Sequence, residues 1–253
     1  MNTRTNLILT CTGLVFAFAA SSASATNYTI DWLNMAPTPF GSSVPNNSVF
    51  NLPGVGNVTL TYSIPSVFVN NRGQNPLLQN GSVTSGPNTY SWTAHETFGA
   101  TSYAPNPPLV TTQWSITYTF SGTVAANTLY VGVMGLGRTS SSGGGISTAT
   151  VNQNGAFLGD WTGGGNYGPT QFTPGPPFQM QNSLTGPGGQ DPWWNTALGV
   201  VQILDPVNSL TIILDQLPGD GLGVNIGAVP EPASLALLGL GGIAMLRRRA
   251  GVA

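Results

Sequence analysis

Large apolar residues alternate with small hydroxyl residues through the middle of this chain. Trp114, Ile116, Tyr118 and Phe120 are interleaved with Ser115, Thr117 and Thr119. A period of two places rings and aliphatics on one face of a strand and hydroxyls on the other. Val58, Leu60, Tyr62 and Ile64 repeat the pattern with Thr59, Thr61 and Ser63, and Tyr90, Trp92 and Ala94 give a shorter version. Leu129, Val131 and Val133 predict a further strand, reached from Phe120 through Ser-Gly-Thr-Val-Ala-Ala-Asn. Ala197–Leu204 and Leu210–Leu214 predict two more, separated by the turn sequence Asp205-Pro206-Val207-Asn208. Asn154-Gly155, between Thr148–Val151 and Ala156–Leu158, predicts a tight hairpin, and Asn80-Gly81 is a second candidate. Between residues 26 and 228 no segment of ten residues carries a helical period. Eight or more short strands without helices predict an all-β fold, an antiparallel two-sheet sandwich with long Gly/Pro-rich loops. The mixture of hairpins and long connections favours a jelly-roll-like version. No internal repeat points to a propeller or β-helix.

The two ends break this pattern. Arg4 precedes a mostly apolar run from Leu7 to Ala20, and Ala23-Ser24-Ala25 forms an A-x-A site for signal peptidase. Cleavage there makes Thr26 the first residue of the mature chain. A lipoprotein signal at Cys11 fails on position, because most of the apolar run follows that cysteine. At the other end, Val229-Pro230-Glu231-Pro232 leads into an apolar stretch from Ala233 to Leu246, followed by Arg247, Arg248 and Arg249. A helix over that stretch is roughly 21 Å long against a hydrocarbon core of roughly 30 Å. Pro230 and Pro232 deny backbone donors at its start, and Gly239, Gly241 and Gly242 weaken it further. The arginines hold their end on the cytoplasmic side. Such a segment suits transient retention better than a permanent single span, and being apolar all round it does not suit a surface helix.

Together the Pro230-Glu231-Pro232 triad, the hydrophobic segment and the Arg247–Arg249 cluster resemble the PEP-CTERM sorting signal of Gram-negative bacteria that secrete exopolysaccharide. The resemblance implies recognition and cleavage near the triad by a membrane-embedded exosortase. It covers about a tenth of the chain. The expected organisation is a signal peptide over 1–25, a β-sandwich over 26–228, and a sorting signal with a C-terminal transmembrane-like helix over 229–253.

Charge then narrows the chemistry. Removing both ends takes away Arg4 and Arg247–Arg249, leaving Arg72 and Arg138 against seven acids, a net charge of −5 with no lysine. That surface has no cationic track for phosphates, which excludes nucleic acid as a partner. The only cysteine is Cys11, so the mature domain has no disulfide and no thiolate site.

Between Arg138 and Thr196 the chain is rich in glycine and proline and studded with aromatics. Asp160, Trp161, Tyr167, Asp191, Trp193 and Trp194 are the candidate carbohydrate-binding residues of this stretch. Rings stack on the apolar faces of sugars while carboxylates and amides meet the hydroxyls. The competing reading is that these rings cap the ends of the sandwich core. Catalysis is less well served. Glycosidases need a pair of carboxyls, and Asp160 with Asp191 is one of several unsupported pairs. His95 is the lone histidine, which cannot make a multi-histidine metal site. No Gly-x-Ser-x-Gly elbow occurs. Asp215, Asp220 and Asn225 lie near one another in sequence, but their spacing fits no calcium loop. Glycine runs at 143–145 and 163–165 lack the lysine and helix of a phosphate loop. No cofactor or metal is expected.

The sequence therefore predicts an exported, non-catalytic protein with a structural or adhesive role in exopolysaccharide or biofilm. It would be held transiently in the inner membrane and then placed at the cell surface or in the extracellular matrix. Its partners would be signal peptidase, an exosortase-like processing enzyme and exopolysaccharide. A dedicated carbohydrate-binding module and a polysaccharide-modifying enzyme are the alternatives.

Overall fold

The computed structural model describes residues 24–35, 38, 42–63, 67–74, 79–93, 96–102, 111–138, 145–165, 167–182, 195–217 and 221–230. Among these there is no helix, and seventeen strands form three sheets. They are β1 (Asn27–Thr29), β2 (Asp31–Trp32), β3 (Ser48–Leu52), β4 (Gly56–Ser63), β5 (Val67–Gln74), β6 (Ser82–Ser85), β7 (Asn88–Ser91), β8 (Glu96–Ser102) and β9 (Thr112–Val124). Then follow β10 (Leu129–Met134), β11 (Thr148–Val151), β12 (Gly155–Trp161), β13 (Thr170–Thr173), β14 (Phe178–Asn182), β15 (Leu198–Ile203), β16 (Val207–Gln216) and β17 (Gly221–Ala228).

One seven-stranded sheet, the hydroxyl sheet, runs β13-β14-β11-β16-β9-β4-β3. Trp114, Ile116 and Tyr118 of β9 are buried on its inner face, as the alternation requires. The outer face carries paired hydroxyls: Thr117 and Thr211 Oγ1 atoms lie 2.9 Å apart, and Ser63 and Ser115 Oγ atoms 3.0 Å. The second sheet, the central sheet, runs β12-β15-β10-β17-β8-β5, with β2 on the same edge of β17 as β8. All pairings within these two sheets are antiparallel. The core between them contains Trp114, Tyr118, Val131, Phe178, Ile212 and Ile226.

A third, small sheet of β1, β7 and β6 corrects the two-sheet expectation. It covers the far side of the central sheet and encloses a second core of Ile30, Trp32, Val83, Tyr90, Trp92, Tyr130, Leu158, Leu198 and Val200. The rings meet at ordinary aromatic distances: Trp32 with Trp92 at 5.8 Å, Trp92 with Trp161 at 6.3 Å, and Tyr28 stacked on Tyr90 at 5.1 Å. Burial on both faces explains the unbroken apolar runs Leu129–Val133 and Leu198–Val201.

Three turn readings also change. β11 and β12 do not form a hairpin at Asn154-Gly155, because β11 pairs with β14 and β16 while β12 pairs with β15 in the other sheet. The segment is a crossover. Gly155 is needed there for space, since a Cβ would lie 2.6 Å from Phe178 and Val201. Asn80 does adopt φ 52°, but it precedes β6, and the β6–β7 turn is made at Gly86-Pro87. The turn expected over Asp205–Asn208 is also shorter, because β16 starts at Val207.

Gly227 tests the contact between the second core and the central sheet. A Cβ there would lie 2.6 Å from Ile30 Cγ2 and 2.8 Å from Trp32 Cε3. Gly227→Ala should lower stability by roughly 1–3 kcal/mol, the cost of overpacking a filled core, read from the urea midpoint. An unchanged midpoint would mean that this interface is loose.

Candidate functional site

The sandwich has two unlike ends. At one end the connections are short: 53–55, 125–128, 152–154, 174–177 and 204–206. Val229 leaves β17 at this tail end. At the other, the loop end, the connections 103–111, 135–147, 162–169 and 183–197 are 9, 13, 8 and 15 residues long. Strand direction places them: β10, β12 and β14 all run toward the loop end, and β17 runs away from it.

Three of these four connections are tied together at their roots. Gly168 bridges Thr196 in parallel, with Gly168 N donating to Asn195 O at 2.9 Å and Ala197 N to Gly168 O at 2.9 Å. Gly135 N donates to Thr196 O at 3.1 Å, and Leu136 N to Thr196 Oγ1 at 3.0 Å. Asn182 Nδ2 donates to Leu136 O at 3.1 Å. Ser147 N donates to Gly137 O, and Leu217 N to Ser147 Oγ. Ser147, Asn182 and Thr196 are fully buried, so their side chains close backbone groups that water cannot reach. Sequence reasoning missed these anchors. Their only signal was a small polar residue at a strand end beside a glycine-rich stretch.

The candidate sugar residues divide among different surroundings. Asp160 and Trp161 are consecutive on β12 and face opposite sides of the central sheet. Asp160 Oδ2 accepts the N–H of Thr170 at 2.9 Å, linking the edge strand of the central sheet to that of the hydroxyl sheet. Its Oδ1 is buried with no hydrogen-bond partner among the described residues. Burial raises the Asp160 carboxyl above its ordinary value, an effect offset in part by Thr170. Trp161 packs edge-on to Trp92 in the second core, and its Nε1 is buried without a partner among the described residues. Tyr167 is half-buried just before Gly168, its ring over Gly165. Asp191, Trp193 and Trp194 lie outside the described residues, but their connection returns at Asn195, which is bonded to Gly168. The structure thus brings the roots of the Tyr167 and Asp191–Trp194 segments together and turns Trp161 away from them.

Other candidates are dispersed. Asp215 sits on the outer face of the hydroxyl sheet, where it accepts from Gln113 Nε2 at 3.0 Å and Thr148 Oγ1 at 3.3 Å. Asn225 is buried on β17 of the central sheet, where its Nδ2 donates to Leu33 O at 3.2 Å. The two do not converge, and Asp220 and His95 lie outside the described residues. Among the described residues no group of three or more His, Cys, Asp or Glu side chains converges.

At the tail end, Val229 N donates to Thr128 O at 3.0 Å, and Pro230 is exposed. Ala25 is exposed. Ala23, Glu231, Pro232 and Arg247–Arg249 lie outside the described residues, as do the predicted signal peptide before Ser24 and the C-terminal hydrophobic helix. Residues 228–250 match the PEP-CTERM protein-sorting motif. Neither a curated protein nor a solved structure matches the chain. The motif starts on Ala228, the last residue of β17. It implies export, transient anchoring through the tail and processing by an exosortase-type membrane enzyme.

Asp160 gives a pH test with a definite sign. A carboxyl whose folded-state pKa lies above its unfolded one takes up its proton first in the folded state. Asp160 therefore disfavours the fold as pH rises through its raised pKa, and the penalty is gone below the ordinary 3.8. Asp160→Asn keeps an acceptor for Thr170 N–H and removes the ionisation. It should melt above wild type at pH 7, with the gap closing in acid. Lower stability than wild type at pH 7 would contradict this reading.

Proposed function

We propose that this carrier of a PEP-CTERM sorting motif is a non-catalytic surface or matrix protein whose loop end engages exopolysaccharide. The observation that carries the reading is the polarity of the sandwich. The motif leaves one end, and the long connections with Tyr167 and the Asp191–Trp194 segment belong to the opposite end. A chain held by its tail presents that loop end away from the membrane.

The strand order supports a rigid platform of jelly-roll type. β9 pairs with β16, β10 with β15 and β11 with β14, a nested antiparallel order. Loops on such a scaffold can vary without disturbing the core. Arg138 is the one basic residue in the long connections of this end, which suits a neutral or weakly charged glycan, and individually weak contacts would gain strength from many copies in a matrix. A dedicated carbohydrate-binding module differs from this reading only in affinity. A hydrolase reading has the half-buried Asp160 in its favour. It lacks a second described carboxyl facing Asp160, since Asp215 lies on the outer face of the opposite sheet.

Two experiments test the two halves of the proposal. Glu231→Ala, or deletion of Arg247–Arg249, should leave most of the protein unprocessed in the membrane fraction of the producing cell. Normal release of both variants would remove the sorting half. For the binding half, the 26–229 fragment should be retarded in affinity electrophoresis by exopolysaccharide from the producing cell. Replacing Trp193 and Trp194 together by Ala should weaken that retardation by an order of magnitude or more. No retardation of the parent fragment would remove the binding half.

A further inference from the structure

The sorting motif has no linker. Ala228 is fully buried and is paired to Leu129 on one edge and Asp31 on the other. The next residue, Val229, is half-buried and bonded through its N–H to Thr128 O at 3.0 Å. Pro230, the first residue of the triad, rests on the β3–β4 turn. A Cβ on Gly54 would lie 3.1 Å from Pro230 Cα and 3.4 Å from its Cβ. Gly54 has φ +77°, so glycine suits this position both for its backbone and for the close approach of the proline. A depression of about 110 Å³ between this turn and the β9–β10 turn is lined by Val55, Val124, Thr128 and Val229.

From these contacts we infer that the folded domain holds the start of its own sorting signal in a docked state, and that processing draws on the undocked state. Gly54 and Thr128 are then positioning residues for cleavage near the triad. This rests on the sorting reading above and extends it. A processing enzyme needs extended chain free of other partners on either side of the bond it cuts. Here the backbone N–H of Val229 is occupied and Pro230 lies against the turn. Only Glu231 and Pro232 separate the docked proline from the apolar segment, a span of roughly 7–11 Å even with the bond to Ala233 included. With the seat occupied, the tail end is therefore pressed against the membrane surface and the processing enzyme. Undocking two residues lengthens the free chain without disturbing β17.

The test uses the full chain in producing cells and follows conversion of precursor to processed form by pulse-chase. Gly54→Val removes the seat. Gly86→Val is its control, because Gly86 also has positive φ (+57°) but no atom within 4 Å of its Cβ position. A six-residue Gly/Ser insertion between Val229 and Pro230 frees the proline and leaves the turn intact. We expect Gly54→Val and the insertion to shorten the conversion half-time about fivefold, the order set by losing one or two buried CH2 groups' worth of contact between Pro230 and the turn, with Gly86→Val at the wild-type rate. Equal rates in the wild type and the insertion variant, or slower conversion on insertion, would overturn the inference. Replacing the triad by three alanines separates the two ideas. Conversion that survives this change refutes the sorting reading itself, whereas conversion that is lost, with no effect of the insertion, refutes only the docking.

Discussion

Hydrogen-bond closure around β17 is the constraint on which the rest of the structure depends. Seven consecutive residues, Leu222–Ala228, are buried, so their backbone groups have no water to bond and must be met by neighbouring strands. β10 satisfies one edge along most of its length. The other edge is shared by β8 at Gly221–Val224 and β2 at Gly227–Ala228, while Leu33 N donates to Ile226 O between them. The side chain of Asn225 caps the Leu33 carbonyl and accepts from Ile226 N. The N-terminal segment of the domain is thus fixed by its C-terminal strand. The central sheet cannot close until the residues immediately before the sorting motif have joined it.

This closure couples folding to location. A domain whose last strand is central cannot be finished early and then carried along by a loose tail, because the tail begins where the strand ends. The short connections at the tail end fit a surface held close to a membrane. The long connections gather at the other end, on roots closed by Thr196, Asn182 and Ser147. Stability without disulfides comes from two stacked cores, and polarity without lysine comes from hydroxyl and amide ladders on the outer face of the hydroxyl sheet. Pairs such as Thr117 with Thr211 stabilise neighbouring strands there without placing charge on the surface.

Much of the fold could be read from the sequence where a strand has one wet face. The alternation Trp114–Phe120 marks β9 because its two faces differ chemically, and Val58–Ser63 marks β4 for the same reason. The third sheet escaped because strands buried on both faces lose that alternation. Leu129-Tyr130-Val131 carries two cores at once, Tyr130 facing one and Val131 the other. The turn signal at Asn154-Gly155 was local, and a turn sequence does not say which sheet the next strand joins. Trp161 looked like part of an aromatic site because it neighbours Asp160 in sequence, yet adjacent strand residues point to opposite faces. The sorting tail was legible without any fold, since its order of triad, apolar run and arginines is carried by sequence alone.

In the proposed arrangement the tail and the long loops of 103–111, 135–147, 162–169 and 183–197 occupy opposite ends of one rigid sandwich, with the tail end against the membrane. With Cys11 absent from a chain starting at Thr26, single cysteines can report this directly. Thr162→Cys marks the loop end and Ala125→Cys the tail end, and both native residues are exposed. With the tail-bearing chain reconstituted in lipid vesicles, the measurement is the rate of modification by a bulky polyethylene-glycol maleimide. Fast labelling is expected at 162 and labelling at least tenfold slower at 125, with equal rates once the tail is removed. Equal rates with the tail in place, or protection of 162 instead, would contradict this arrangement.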